Sequence, residues 1–254
     1  MIGLNGGLLG AQRSTNTSTG SGVWATNEQV LLRRTNTWQR TDDPYAANVS
    51  LLLHMDGSNG STTFTDNSSS PKTVTANGGV TVSTAQSKFG GASAYFNSTT
   101  DSLSFADPAL GTGDFTIEMW FKTTSSVQYA QLIGNESSGY SLLMNNASAT
   151  AGDIALYLNG SLVCASSGTS YRDDAWHHIA MTRSGTALTI WVDGVSKATA
   201  TTSGSFSGQA NYVGRNNVYT PRNFVGYIDE LRITKGVARY TATFTPSATA
   251  FPNA

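Results

Sequence analysis

The pattern of polar and apolar positions along this chain changes near residue 49. Before it no period is sustained. The glycine-rich GLNGGLLG runs through the polar tract STNTSTGSG to ATNEQVLLRRTNTWQRTDDP, which Pro44 closes. So few apolar side chains cannot bury enough surface to build a core, so residues 1–45 are expected to form an extended arm. After it, short apolar runs alternate with turn signals. Val49–Met55, Ala92–Phe96, Leu103–Phe105, Phe115–Phe121, His177–Thr182, Leu188–Val192 and Gly226–Ile233 read as strands. In one of them Phe115, Ile117, Met119 and Phe121 fall on one face and Thr116, Glu118 and Trp120 on the other. Asn159-Gly160 sits between two alternating runs and Asp193-Gly194 follows a third. Both pairs suit a type I′ turn, which needs positive φ at two successive positions. No stretch carries a helical period. Around a dozen short strands fit two packed sheets better than one, so the expected fold class is all-β, an antiparallel two-sheet sandwich over residues 46–254.

Composition supports this picture and narrows the function. Charged residues are 12% of 254, about half the usual share, and glycine contributes 26 positions, which suits many turns. A net charge of −1 argues against nucleic acid as a partner, because phosphate neutralisation needs clustered Lys and Arg. The single cysteine, Cys164, excludes an internal disulfide and a thiolate zinc site. No apolar run reaches the length of a membrane span, so membrane insertion is not expected. The opening MIGLNGGLLGAQR lacks both an early cation and a clean apolar stretch, so a signal peptide is not expected either.

Four motifs in order carry a resemblance: SKFGGASAYF at 87–96, DFTIEMWFKT at 114–123, AWHHIAMTRSGTALTIWVDGV at 175–195 and GYIDELRITKGVARYTATF at 226–244. Together they resemble laminin-G-like jelly rolls of the concanavalin A-like lectin and glucanase superfamily, over about residues 47–252. The ITKGVARYTATFTP ending is similar to copies carried by bacteriophage structural proteins. The resemblance implies a jelly-roll sandwich, and the N-terminal arm lies outside it. It also implies a non-enzymatic virion structural protein (tail fibre, appendage or capsid-decorating component), assembled in the host cytoplasm and presenting an outward-facing lectin-like domain. The alternative it leaves open is a carbohydrate-binding adhesin that recognises host-surface glycan.

Candidate residues follow from the residue chemistry and from this resemblance. Glucanases of the superfamily align three carboxylates on one strand face, of which two act in hydrolysis. Here Asp114, Thr116 and Glu118 share that face, so the middle acid is missing and no catalytic residue is expected. His177 and His178 are neighbours on a strand and point to opposite faces, so they cannot ligate one metal together. The resemblance gives one of them a hydrogen bond across the sheet.

Many relatives hold calcium at the sandwich edge. Asp229 stands where the resemblance puts the carboxylate, with Asp56 as a second acid and Gly90 and Gly91 as carbonyl donors. The alternative is that Asp229 pairs with Arg232 or with a backbone amide. For sugar, the loop GRNNVYTPRN at 214–223 offers Arg215, Asn216, Asn217, Tyr219 and Arg222, with Tyr129, Tyr140 and Tyr171 in other predicted loops or strand ends. The alternative there is that these are ordinary turn residues. In the arm, Trp24, Leu31, Leu32 and Trp38 are the apolar anchors for docking on other virion proteins or copies of the same chain, or for folding back on the sandwich.

Overall fold

The computed structural model describes residues 43–135, 139–146, 152–167, 170–207, 211–216 and 222–254. The arm with Trp24, Leu31, Leu32 and Trp38 lies outside them, as do Asn217 and Tyr219. Among the described residues, a single 3-10 turn at Ala46–Asn48 leads into fifteen strands. These are β1 (Val49–Leu53), β2 (Thr75–Asn77), β3 (Thr81–Ser83), β4 (Ser93–Phe96), β5 (Ser102–Phe105), β6 (Phe115–Lys122), β7 (Ala130–Gly134) and β8 (Tyr140–Met144). There follow β9 (Ile154–Leu158), β10 (Ser161–Ala165), β11 (His177–Ser184), β12 (Ala187–Val192), β13 (Val195–Thr201), β14 (Asn211–Val213) and β15 (Gly226–Lys235).

They form two antiparallel sheets. The larger runs β13-β12-β11-β6-β15-β4-β3, with β1 paired to the second half of β15. The smaller runs β10-β9-β8-β7-β14-β5-β2. Ile117, Met119, Phe121, Ile179 and Ile190 of the first meet Leu132, Leu142, Leu156 and Val213 of the second in one core. Both expected hairpins form: Asn159 and Gly160 have φ of 50° and 76°, and Asp193 and Gly194 have 50° and 77°. The expected all-β, two-sheet antiparallel sandwich is what the chain adopts. Among the described residues no helix is long and apolar enough to cross a membrane.

Two features depart from simple alternation. The first is that β6 is buried on both faces, with Thr116 and Glu118 at 0% exposure and Trp120 at 6%. The reason is an irregular strap over residues 236–251 that crosses the outer face of the larger sheet. Thr116 Oγ1 donates to the Val237 carbonyl and accepts from Arg239 N. Tyr240 and Phe244 stack at 3.6 Å and stand edge-on to His178, and Phe251 packs on Val49 and Leu52. Phe244 N also donates to the Gly194 carbonyl at 3.0 Å, and a Cβ on Gly194 would collide with the Phe244 carbonyl. That turn needs glycine for its φ and for this close approach.

The second is a bulge in β15. Pairing with β6 shifts register between Asp229 and Arg232, and Glu230 adopts φ of 52°. A bulge re-aims side chains. Here Asp229 turns to the 88–91 turn, and Glu230 turns to His54 and to the end of the strap.

Candidate functional site: a tyrosine and arginine cluster on the smaller sheet

Tyr129 precedes β7 and Asn145 follows β8, each with positive φ, 56° and 57°. Tyr129 N donates to the Asn145 carbonyl at 3.1 Å. The Asn145 amide donates to Val127 O at 2.7 Å and Ser125 O at 3.2 Å, and its Oδ1 accepts from Gly152 N at 2.8 Å. One asparagine therefore pins two loops together. On β9, Leu156 and Leu158 face the core, so Tyr157 faces outward. Its hydroxyl donates to Asn146 Oδ1 at 2.9 Å, and its ring meets Tyr129 edge-on at 6.3 Å. The chain returning after β14 adds Arg222, whose guanidinium lies 4.4 Å from the Tyr129 ring centre. Such a contact combines cation–π attraction with stacking.

Gln131, fully buried, anchors this return. Its backbone N–H donates to the Arg222 carbonyl at 3.0 Å and it bridges Asn223. Its side-chain amide donates to the Arg215 carbonyl at 2.7 Å and the Gly134 carbonyl at 3.0 Å, and accepts from Ser141 Oγ at 3.0 Å. Of the loop residues expected to bind sugar, Arg222 stands over Tyr129, the Arg215 carbonyl is held by Gln131, and Asn216 is fully buried. Tyr140 and Tyr171, at 2% and 3% exposure, belong to the core instead. Tyr157, Asn146 and Gln131 escaped sequence reasoning. The outward parity of Tyr157 in IALYLNG was the available signal.

On the larger sheet, Glu118 is closed off. Its Oε1 accepts from Arg232 and its Oε2 from the Tyr240 hydroxyl at 2.7 Å, with His178 Nε2 at 3.2 Å. Burial alone would raise its pKa. The Arg232 charge and the His178 and Tyr240 contacts outweigh that and hold it down at about 2. Arg232 also donates to Asp43, which Arg239 grips through both oxygens at 2.9 and 2.6 Å. His178 thus makes the cross-sheet bond expected of the histidine pair. His177 lies between Asp193 at 2.7 Å and Asp173 at 3.0 Å. Asp114 precedes β6 and accepts from Gly185 N at 2.7 Å.

At the edge of the larger sheet, Asp229 is fully buried and its Oδ2 accepts from Lys88 N at 2.7 Å and Phe89 N at 3.1 Å. Its Oδ1 has no hydrogen-bond partner among the described residues. Burial, partly offset by those two amide bonds and reinforced by Glu230 and Asp56, pushes its pKa up to about 7. Asp56 lies against Gly90, where a Cβ would overlap its carboxylate, and its pKa is also raised, by burial and by Glu230. The two acids therefore bracket the 88–91 turn. Beside them His54, held by Glu230 at 2.9 Å and Asn253 at 2.8 Å, lines a cleft of about 440 Å³ floored by Phe251.

The family model for the concanavalin A-like lectin/glucanases superfamily matches residues 97–239. The chain belongs to this superfamily. No curated protein sequence matches it closely enough to count as a relative. Among solved structures, the concanavalin A-like sandwich seen here is similar to domain 4 of an extracellular arabinanase from Geobacillus stearothermophilus, solved with arabinotriose. That match has a TM-score of 0.54 at 17% identity and covers 75% of this chain and 94% of that one. It is also similar to the binding domain of Paraclostridial Mosquitocidal Protein 1, with a TM-score of 0.59 at 14% identity over 75% of this chain. The binding domain of botulinum neurotoxin serotype D/C matches with a TM-score of 0.55 at 15% identity over 76% of this chain. The chain spans about half the length of those two toxin domains, 49% and 50%. At these identities the likeness is one of fold.

A hard cation takes oxygen ligands, and the side-chain oxygens beside the 88–91 turn are those of Asp229 and Asp56. Asp229 Oδ1 is a buried acceptor without a donor among the described residues, and the Asp56 carboxylate lies beside the same turn. Among the described residues no group of three or more His, Cys, Asp or Glu side chains surrounds one point.

Proposed function

We propose that this chain is a non-enzymatic attachment protein whose sandwich binds glycan through Tyr129, Tyr157 and Arg222, with the buried Asn146 holding the Tyr157 hydroxyl. One observation carries the reading: Arg222 stacks at 4.4 Å on Tyr129, which meets Tyr157 edge-on, in a half-exposed cluster held by two pinned loops. Aromatic faces take the C–H face of a sugar ring, and guanidinium and amide groups take its hydroxyls. Rigid placement lowers the entropy lost on binding. Hydrolysis has no part in this reading, which the missing middle carboxylate at Thr116 and the enclosed Glu118 support. Asp229 and Asp56 hold a calcium ion that stiffens the sheet edge. The test is a glycan array followed by calorimetry on the best hit. Tyr129→Ala or Arg222→Ala is expected to weaken it tenfold or more with an unchanged melting curve. Failure to retain any saccharide, or equal binding by both variants, would overturn the reading.

The same reading places the protein on a virion, among other virion proteins and copies of itself. The resemblance of KGVARYTATF to phage structural copies supports this. So does the separation of roles: Asp43, where residues 1–42 join, is clasped on the outer face of the larger sheet, while Tyr157 faces outward from the smaller one. Immunogold labelling of purified particles tests it. Label confined to unassembled material would favour a free carbohydrate-binding adhesin.

A further inference from the structure

We infer that Asn159 is a self-modification site, where the Gly160 backbone nitrogen attacks the side-chain amide and converts it to an aspartyl or isoaspartyl linkage. The chain has Asn-Gly pairs at 5, 59, 77 and 159, and the first lies outside the described residues. The reaction makes two demands. The asparagine side chain must swing onto the next N–H, and that N–H must be unbonded and unhindered, which a residue without Cβ favours. Of the three described pairs, Asn159-Gly160 alone meets both. Its two residues are exposed in the β9-β10 turn, and the Asn159 side chain has no hydrogen bond among the described residues. Gly160 N–H donates to nothing among them, and a Cβ on Gly160 would meet nothing within 4 Å. At Asn59, Oδ1 accepts from Thr84 N at 3.1 Å, and Gly60 N–H donates to the Val82 carbonyl at 2.8 Å. At Asn77, Nδ2 faces Thr75 O, Ser102 O and Ser104 Oγ, and a Cβ on Gly78 would lie 2.6 Å from the Thr100 carbonyl oxygen. The Asp193-Gly194 turn has nearly the same backbone, yet its carboxylate is bound by His177 and by His178 N, and its glycine lies against Phe244. Openness at 159 therefore comes from the surroundings and not from the turn type.

Water is the one co-reactant. Gly160 N bonds to Asn159 Cγ, ammonia leaves with the proton from that nitrogen, and a cyclic imide forms. Water then opens either imide carbonyl. One opening gives an ordinary aspartyl side chain. The other routes the main chain through the side chain and lengthens the turn by a methylene. Register in a hairpin is set by the turn, so the lengthened form cannot keep Ser161 opposite Leu158 and Leu162 opposite Tyr157. β10, an edge strand of the smaller sheet, is the element this releases.

Peptide mapping by mass spectrometry of the full chain, aged at mildly alkaline pH, tests this. Asn159 is expected to convert about tenfold or more faster than Asn59 and Asn77, and the three rates should converge in urea, where the local structure that separates them is gone. An isoaspartyl-specific methyltransferase should label the peptide that contains position 159. Aged protein should also lose hydrogen-exchange protection along β10, whereas fresh Asn159→Asp, which adds the charge without the methylene, should keep it. Conversion at Asn159 no faster than at Asn59 or Asn77 in the folded chain would overturn the inference. So would a spread of rates that persists in urea, because the selectivity would then lie in the local sequence and not in the fold.

Discussion

Arg232 directs two nitrogens, Nε at 2.9 Å and Nη2 at 2.8 Å, onto a single oxygen of Glu118. That leaves the other oxygen for Tyr240 and His178, so one carboxylate joins β6, β11, β15 and the strap. Both partners are nearly sealed from water, Glu118 at 0% and Arg232 at 5% exposure. Removing one member of such a pair strands the other. Glu118→Ala is expected to cost about 3–5 kcal/mol in urea denaturation, and Glu118→Gln somewhat less. The acid limb follows from the lowered pKa. The contribution is complete above the ordinary value of 4.5 and is lost as pH falls towards about 2. An acid unfolding curve that Glu118→Gln leaves unmoved would contradict this.

How much of this was legible beforehand divides along physical lines. Strands and hairpins were, because the two faces of a pleat leave period-2 alternation of apolar and polar types, as in FTIEMWFK, and Asn159-Gly160 carries its own turn conformation. The strap was not. Residues 236–251 have no period, and Tyr240 and Phe244 gain their positions from distant partners, Glu118, His178, Trp191 and Gly194. The bulge at Glu230 was equally silent, since a glutamate at positive φ leaves no local signal. As for the site, Arg215 and Arg222 could be singled out by composition. Tyr157 could not be joined to Tyr129, because that neighbourhood depends on the β7-β8-β9 register.

Calcium and pH should act on Asp229 in opposite senses. A carboxyl whose folded pKa lies at about 7, above its ordinary 3.8, contributes stability below that ordinary value and loses it as pH rises through 7. In chelator, thermal stability is therefore expected to fall between about pH 4 and pH 8, as the buried carboxyl is forced to ionise. Saturating calcium should reverse this and add about 2.7 kcal/mol at a hundredfold excess over Kd. Asp229→Asn should be the more stable form in chelator at pH 8 and gain nothing from calcium. Melting curves with and without chelator that superimpose across this range would refute the ion.

His177 should give a second, alkaline dependence. Its pKa is raised chiefly by the bond to Asp193, with Asp173 adding to it against the opposing effect of burial. Protonated, it donates from both ring nitrogens and ties the 170–176 loop to the β12-β13 turn. That stability is present below the ordinary 6.5 and is lost as pH rises through the raised value. With Asp173 and Asp193 about half-exposed, solvent screening limits it to about 1 kcal/mol. His177→Gln should flatten the dependence of the denaturation midpoint on pH above the ordinary 6.5. NMR titration of the His177 ring showing an ordinary pKa would rule out the clamp.

The start of the independently folding unit should lie at Asp43. Arg239 meets the Asp43 carboxylate fork to fork, at 2.9 and 2.6 Å, and Arg232 adds a third bond at 3.1 Å. Burial would raise the Asp43 pKa, but the Arg239 contact and the Tyr45 amide outweigh it and lower it. A fragment of residues 43–254 is therefore expected to fold as a β-rich unit with cooperative unfolding. A fragment starting at Ala46 loses that carboxylate and the Tyr45 ring, which stands 5.1 Å from the Arg239 guanidinium. Because the Arg239 and Arg232 side chains are alike nearly sealed, at 7% and 6% exposure, the cost should be that of breaking a buried pair, about 3 kcal/mol. Asp43→Asn in the longer fragment should reproduce most of it. If both fragments and the variant unfold at the same denaturant concentration, the clasp contributes nothing and the boundary belongs further along the chain. If the 43–254 fragment aggregates while the full chain is soluble, residues 1–42 complete the fold, and their part in assembly would have to be sought separately.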